Sequence, residues 1–200
     1  MAGKPKHPGP SISPMALALR CRKLIQSSGY KATSCIETAY LIEQSALGMG
    51  LPIKRVLCQL QALYPAAAKA ISQNEPLDTV WGTPGYWAVD VGHPEQPEDY
   101  VGRMDVLNNR FVGHVVCIAE NHLIDASADQ ASRPAKGLVV SQPVVGRLTG
   151  ETPTGPHWFE TKEGSLLGYW LHPDVVPPQP VTVDHLDSLV TVLLTEFQNS

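Results

Sequence analysis

The sequence predicts an α+β fold, in which a few helices pack on an antiparallel β-sheet. Apolar residues in the first quarter of the chain recur at helical spacing. Those in the second half fall in short runs separated by turn residues, which is typical of antiparallel strands. A chain of 200 residues, 43% of them hydrophobic and 17% charged, can also bury one substantial core. We therefore expect one globular domain with short additions at its ends.

The chain is predicted to begin with a tail and a helix. Residues 1–12 are polar and rich in proline, so they have little to bury and should form a flexible tail. The main domain is then expected over 13–172, and its first helix should start with Ser13 as cap and Pro14 in the first helical position. Gly29 should end this helix.

A second helix is predicted from "SCIETAYLIEQSAL", which runs up to Gly48. Ser34 followed three residues later by Glu37 has the spacing of a capping box, and this would put Cys35 in the first helical position. The following run, "LPIKRVLCQLQALYP", fits either a helix or a strand. We favour a strand for its first half.

Residues 64–110 are rich in turn signals such as "GTPGYW" and "GHPEQPEDYVG". They surround the aromatic residues Trp81, Tyr86 and Trp87. We expect connecting structure here that could wall a cleft.

The runs "HVVCIA" and "HLIDAS" predict a β-hairpin, with "GLVVSQPVV" and "LLGYWLH" as further strands. A two-residue turn at 120–121 would pair Ala119 with His122. In that register His114 and Asp125 are diagonal neighbours on one face, about 7 Å apart or less, so a carboxylate could reach an imidazole. A three-residue turn would shift the register by one and reverse the face.

The end of the chain predicts a linker and a helix. Residues 173–183 are rich in proline and should form a semi-stiff linker. Residues 184–200 should form a helix capped by Asp184. Its apolar stripe requires a covering surface, either the body of the domain or a second copy in a homo-oligomer.

Cys35 is the candidate nucleophile among the four cysteines. At a helix start, unpaired backbone N–H groups and the helix dipole favour a thiolate, and the same N–H groups could hold an oxyanion. A second oxyanion donor would have to be a side chain that the sequence does not identify. An Asp beside a His fixes the tautomer and stabilises the imidazolium. Cys21, Cys58 and Cys117 are interpreted as packing residues, because free cysteines are usually small buried hydrophobes.

Several classes of function are disfavoured by composition. The net charge of −4, without a basic block, argues against a nucleic-acid partner. No run of about 18 to 20 apolar residues indicates a membrane span, and the N-terminus lacks a signal-peptide core, so we expect a cytoplasmic protein. The cysteines show no C-x-x-C spacing and the histidines no ligand spacing, so neither a metal nor a cofactor is expected.

The order of these motifs resembles the transglutaminase-like family. The helix beginning at Cys35 is followed by the passage from Gly50 to Val56, "GLPIKRV", which is similar to that family's G-[IL]-P-x-R-x-V. "GHVV" and "HLIDAS" resemble its His strand and Asp strand, although Val116 stands where an aromatic residue is often found. The resemblance covers about residues 33–130. It implies a papain-like core with Cys35 as nucleophile, His114 as base and Asp125 as orienting acid.

The resemblance implies a cysteine-dependent acyl-transfer enzyme. We expect hydrolysis of an amide, peptide, isopeptide or ester bond through a thioester, acting on a peptide, protein or small acyl substrate. A transglutaminase or deamidase would use the same residues. Arylamine N-acetyltransferases share a similar Cys, His, Asp order, but their Arg-Gly-Gly approach to the Cys is "KATS" here. The alternative from another class is a binding module without catalysis on the same fold.

Overall fold

A computed structural model of the chain describes residues 12–30, 34–75, 88–91, 104–105, 110–111 and 113–199. These ranges combine α-helices with antiparallel strands, as the sequence predicts. The predicted tail, apart from its last residue, and the cleft aromatics Trp81, Tyr86 and Trp87 lie outside the described residues.

Four α-helices and nine strands are present in these ranges. The helices are α1 (Pro14–Ser27), α2 (Cys35–Gly48), α3 (Pro65–Ser72) and α4 (Val183–Gln198). The strands are β1 (Ile53–Leu63), β2 (Ala88–Val91), β3 (Met104–Asp105), β4 (Arg110–Phe111), β5 (His114–Ala119), β6 (His122–Asp125), β7 (Val144–Arg147), β8 (His157–Glu160) and β9 (Leu166–His172). Two short 3₁₀ helices, Ala128–Ala131 and Pro134–Lys136, follow β6.

The long strand β1 is the centre of the main sheet. The sheet order is β7-β6-β5-β1-β9-β8, and all the pairings are antiparallel. The first half of β1 pairs with β5, whereas its second half pairs with β2. β9 covers the opposite edge of β1 over Leu57–Leu63. This arrangement puts the predicted His strand directly beside β1.

Side chains on the two faces of the sheet enter two different cores. Leu57, Val115 and Cys117 pack with buried residues of α1, α2 and α4. Their sequence neighbours Val56 and Val116 enter the other core, because successive side chains of a strand point to opposite faces. The second core also receives residues of β9 and of the segment after β6.

The starts of the first two helices differ in how they are capped. Ser13 Oγ accepts a hydrogen bond from the Ala16 N–H at 3.2 Å, and Pro14 opens α1 as predicted. α2 begins at Cys35, as predicted, but the capping-box prediction is wrong because the Ser34 side chain makes no cap hydrogen bond. The Ser34 carbonyl instead accepts hydrogen bonds from the Thr38 N–H at 2.9 Å and from Thr38 Oγ1 at 2.7 Å.

The hairpin register is confirmed: Ala119 pairs with His122. Glu120 occupies the turn with a φ of 54°. The prediction for "LLGYWLH" is also confirmed by β9, and "LPIKRVLCQLQAL" is strand beyond its first half. "GLVVSQPVV" is strand only at its end, where β7 begins. The region expected to be connecting structure contains α3 and β2.

The C-terminal helix packs on the body of the domain. α4 begins at Val183 with Thr182 as its cap residue, so the prediction that Asp184 is the cap is wrong by two positions. Leu186, Leu189 and Leu193 are buried in the core shared with α1 and α2. Its own chain therefore covers the predicted stripe, and no second copy is required for that purpose. No helix in the described part of the chain is long and apolar enough to cross a membrane.

Candidate active site

Cys35 occupies the N-terminus of α2. It is the first residue of that helix and is 4% exposed. The first N–H groups of a helix have no partner within the helix, and its N-terminus carries a partial positive charge. The thiol therefore lies where both the backbone and the dipole favour negative charge.

His114 is the first residue of β5. Gly113 precedes it with a φ of +126°, a backbone conformation that residues with a side chain rarely adopt. His114 pairs with Cys58 across β1 and β5, and it is completely buried. Because a buried imidazole needs hydrogen-bond partners, the groups around it decide its protonation.

Asp125 supplies one of these partners. It is the last residue of β6 and is 1% exposed. His114 Nε2 lies 2.8 Å from Asp125 Oδ2, so the diagonal contact expected from the hairpin register is present. An ionised carboxylate can only accept, so the proton of this hydrogen bond lies on Nε2.

The carboxylate of Asp125 receives three further hydrogen bonds. The Ser127 N–H donates to Oδ1 at 2.9 Å and the Ser127 hydroxyl to the same oxygen at 3.1 Å. The Tyr169 hydroxyl donates to Oδ2 at 2.9 Å from the buried strand β9. Neither residue is predicted as part of the site in the sequence analysis above. The "DAS" spacing is typical of an Asx turn and could have identified Ser127, but nothing local identifies Tyr169, which is 44 residues away along the chain.

These contacts keep Asp125 ionised. Burial alone raises the pKa of a carboxyl group, but the charge and hydrogen bond of His114, together with the Ser127 and Tyr169 donors, lower the pKa of Asp125 below its usual range. Burial and the adjacent carboxylate raise the pKa of the Tyr169 hydroxyl well above its usual value. Tyr169 therefore stays a donor.

The pKa of His114 is shifted upward, whereas that of Asp125 is shifted downward. Burial alone lowers the pKa of an imidazole, but the Asp125 charge and hydrogen bond outweigh it. The Cys35 side chain also acts on the ring, both as a hydrogen-bond partner and as a charge, and the pKa of His114 is raised to about 10. Since Nε2 is engaged by Asp125, Nδ1 is the ring nitrogen left for the thiol. The structure therefore brings Cys35, His114 and Asp125 together.

The other cysteines are buried thiols. Burial raises the pKa of Cys21, Cys58 and Cys117, with smaller contributions from neighbouring charges at the latter two. Cys117 lies on the sheet face opposite His114 and donates from Sγ to the Ala39 carbonyl at 3.3 Å. Their burial agrees with the expectation that these cysteines serve packing.

Gln130 is a further polar side chain next to the imidazole. Its Nε2 lies 3.4 Å from His114 Nδ1, and it belongs to the first 3₁₀ helix after β6. In the described ranges, no group of three or more His, Cys, Asp or Glu side chains could hold a metal ion.

The chemistry available to this arrangement follows from its contacts. A thiol at a helix start, an imidazole whose Nδ1 is not used by Asp125 and a fixed carboxylate behind that ring can act as a relay for one proton. Such a relay can generate a thiolate nucleophile and later return the proton to a leaving group. Compared with protein-family models, with curated proteins and with solved structures, the chain gives no match.

Proposed function

We propose that this chain is a cysteine-dependent acyl-transfer enzyme with a papain-like, transglutaminase-like core. The observation that carries the proposal is the shared imidazole: His114 bonds to Asp125 at 2.8 Å through Nε2 and interacts with Cys35 on the same ring. The order in which the three residues follow one another along the chain supports it as well. Hydrolysis of an amide, peptide, isopeptide or ester bond is the reaction proposed.

In the first half of the reaction, Cys35 forms a covalent intermediate. Its Sγ attacks the carbonyl carbon, and the electron pair of the C=O bond moves to the oxygen. The tetrahedral intermediate collapses, and the bond to the leaving group breaks. The thiol proton, held on His114 Nδ1, goes to the departing amine or alcohol. A thioester on Cys35 remains.

In the second half, water takes the place of the leaving group. The oxygen of the water attacks the thioester carbon while His114 accepts a proton from the water. The bond between that carbon and Cys35 Sγ then breaks, and the acid product leaves. Throughout both halves Asp125 holds the ring with Nε2–H toward itself. The Asp125 carboxylate stays ionised because four hydrogen bonds stabilise its charge.

The test uses p-nitrophenyl acetate, an activated ester that reports acyl transfer without knowledge of the natural substrate. Wild type should release a burst of p-nitrophenolate and carry an acetyl group on Cys35, detected by mass spectrometry of the tryptic peptide. Cys35→Ala should lower the rate by about 10⁴-fold or more, because the nucleophile is removed. Cys117→Ala, which changes a packing thiol on the hairpin that carries His114 and Asp125, should retain the burst.

Two alternatives give different results in this assay. A binding module without catalysis would leave Cys35 unacetylated in wild type, which would contradict the proposal. A transglutaminase or an arylamine N-acetyltransferase would pass the acetyl group to an added amine. Cadaverine and an arylamine, supplied with the ester, should therefore yield N-acetyl products from a transferase and only acetate from a hydrolase.

A further inference from the structure

The described contacts of the catalytic groups leave one question open, namely what stabilises the oxygen of the tetrahedral intermediate besides the N–H of Cys35. Gln130 carries a side-chain amide, which can donate, next to the ring nitrogen that accepts the thiol proton. Its amide nitrogen is 3.4 Å from His114 Nδ1, which is longer than a good N–H···N hydrogen bond. The amide is therefore close to the proton-transfer atom without being strongly bound to it.

Protonation of His114 changes what this amide can do. In the neutral ring Nδ1 is an acceptor, because Nε2 carries the proton shared with Asp125. When Nδ1 takes the proton of the Cys35 thiol, both ring nitrogens become donors, and the Gln130 N–H can no longer donate to it. The oxygen of the tetrahedral intermediate becomes negative in the next step and offers this N–H a new acceptor.

The backbone around Gln130 is fixed on both sides. Ala128 and Ala131 are fully buried in the core beneath the 3₁₀ helix. Asp129 forms an ion pair with Arg22 of α1 at 2.9 Å, and Arg22 also donates to the Ser141 carbonyl at 3.0 Å.

Exposure distinguishes Gln130 from His114, which it contacts, and from Asp125 behind that ring. His114 and Asp125 are buried, whereas Gln130 is half-buried. Gln130 therefore contacts the buried imidazole and is itself partly exposed to solvent, from which a substrate has to arrive. An amide held by a rigid turn at this position is preorganised to donate.

We propose that Gln130 is a catalytic residue whose side-chain amide donates a hydrogen bond to the oxyanion of the tetrahedral intermediate, together with the Cys35 N–H. The inference rests on the proposed function, because it concerns the same acyl transfer. As Sγ bonds to the carbonyl carbon and the C=O electron pair moves to oxygen, Gln130 stabilises that oxygen. The bond is lost again when the pair returns and the leaving group departs with the proton from His114.

Two reactions of the same thiol test this role. Acetylation by p-nitrophenyl acetate passes through an oxyanion, whereas alkylation by iodoacetamide displaces iodide at a saturated carbon and forms none. Gln130→Ala and Gln130→Met should each slow Cys35 acetylation by roughly 10² to 10³-fold, the effect of removing one oxyanion donor. The rate of iodoacetamide alkylation and its pH profile should stay as in wild type. Gln26→Ala, which changes an exposed glutamine on α1, is the matched control and should alter neither rate.

The possible results separate this inference from the function on which it rests. If both reactions slow equally in Gln130→Met, which keeps the side-chain length, the residue positions His114 or the fold and the inference is wrong. Acetylation at the wild-type rate in either variant would also overturn it. Failure of wild type to be acetylated on Cys35 would overturn the proposed function and the inference together, whereas slow acetylation of the variants alone supports both.

Discussion

Two ion pairs, Arg55 with Glu43 and His114 with Asp125, differ in whether every nitrogen of the basic side chain has a hydrogen-bond acceptor within the protein. Arg55 at the start of β1 donates from its backbone N–H and Nε to both oxygens of Glu43 on α2, at 2.8 and 2.7 Å. Its remaining nitrogens donate to the Pro178 carbonyl and the Gln179 side chain. The guanidinium also lies 5.2 Å from the centre of the Tyr40 ring. Every nitrogen of Arg55 thus has an acceptor within the protein.

The pair formed by His114 and Asp125 is arranged differently. The carboxylate is saturated with four hydrogen bonds, but the imidazole uses one nitrogen for it and keeps the other beside Cys35 and Gln130. An Arg cannot lose its proton in a protein, whereas a His can. We conclude that the Arg55 cluster joins α2, β1 and the C-terminal linker, while the His114 cluster retains a group that can move a proton.

The largest expected effect sharpens this difference. Asp125→Asn should lower the rate of Cys35 acetylation by about 10⁴-fold, because an amide can donate to Nε2 and hold the ring in the wrong tautomer. The measurement is the p-nitrophenolate burst at saturating ester. Asp90→Asn, which changes an exposed carboxylate on β2, is the matched control and should react like wild type. If Asp125→Asn gives the same burst as wild type, Asp125 has a structural role only.

A smaller effect is expected at the pair of Arg55 and Glu43, where a substitution should change the stability of the protein and not the acetylation rate. Arg55→Met should lower the free energy of unfolding by about 2–3 kcal/mol, because charge-assisted hydrogen bonds are lost and Glu43 is left partly buried without its partner. Urea denaturation measures this loss. The acetylation rate of the folded variant should match wild type, and Lys54→Met, an exposed neighbour, should change neither quantity. A strong loss of rate in folded Arg55→Met would remove the distinction between the two clusters.

The third expected effect is a pH dependence specific to His114. Its folded pKa is about 10 and its usual value 6.5, so its contribution to stability is complete below 6.5 and is lost as the pH rises toward 10. Asp125 has a lowered pKa, so its contribution is complete above its usual value of 3.8 and is lost at more acidic pH. The stability difference between wild type and Asp125→Asn should therefore be greatest between these values.

Above pH 6.5 this difference should shrink by up to about 1.4 kcal/mol per pH unit, the limit for one titrating group. Urea denaturation of both proteins between pH 4 and pH 10 measures it. If the stability difference between wild type and Asp125→Asn does not change with pH, Asp125 does not raise the pKa of His114.

Much of the site could be predicted because its parts are local in sequence. A two-residue turn and strand alternation were enough to place His114 beside Asp125, and the apolar period of α2 with its start at Cys35 placed the thiol at a helix N-terminus. The partners of Asp125 follow two different rules. Ser127 is two residues away and had a recognisable spacing, whereas Tyr169 arrives from another strand.

The sequence by itself determined the α1 and α2 helices, the hairpin register and the set of candidate residues, because these depend on propensity, periodicity and turn length over a few positions. Only the tertiary structure decided that α2 presents Cys35 to the imidazole, that Tyr169 saturates Asp125 and that Gln130 lies against Nδ1. It also decided that α4 covers its own apolar stripe with α1 and α2. The physical reason is that these contacts join segments far apart in the chain, and the packing of two cores around β1 sets their distances.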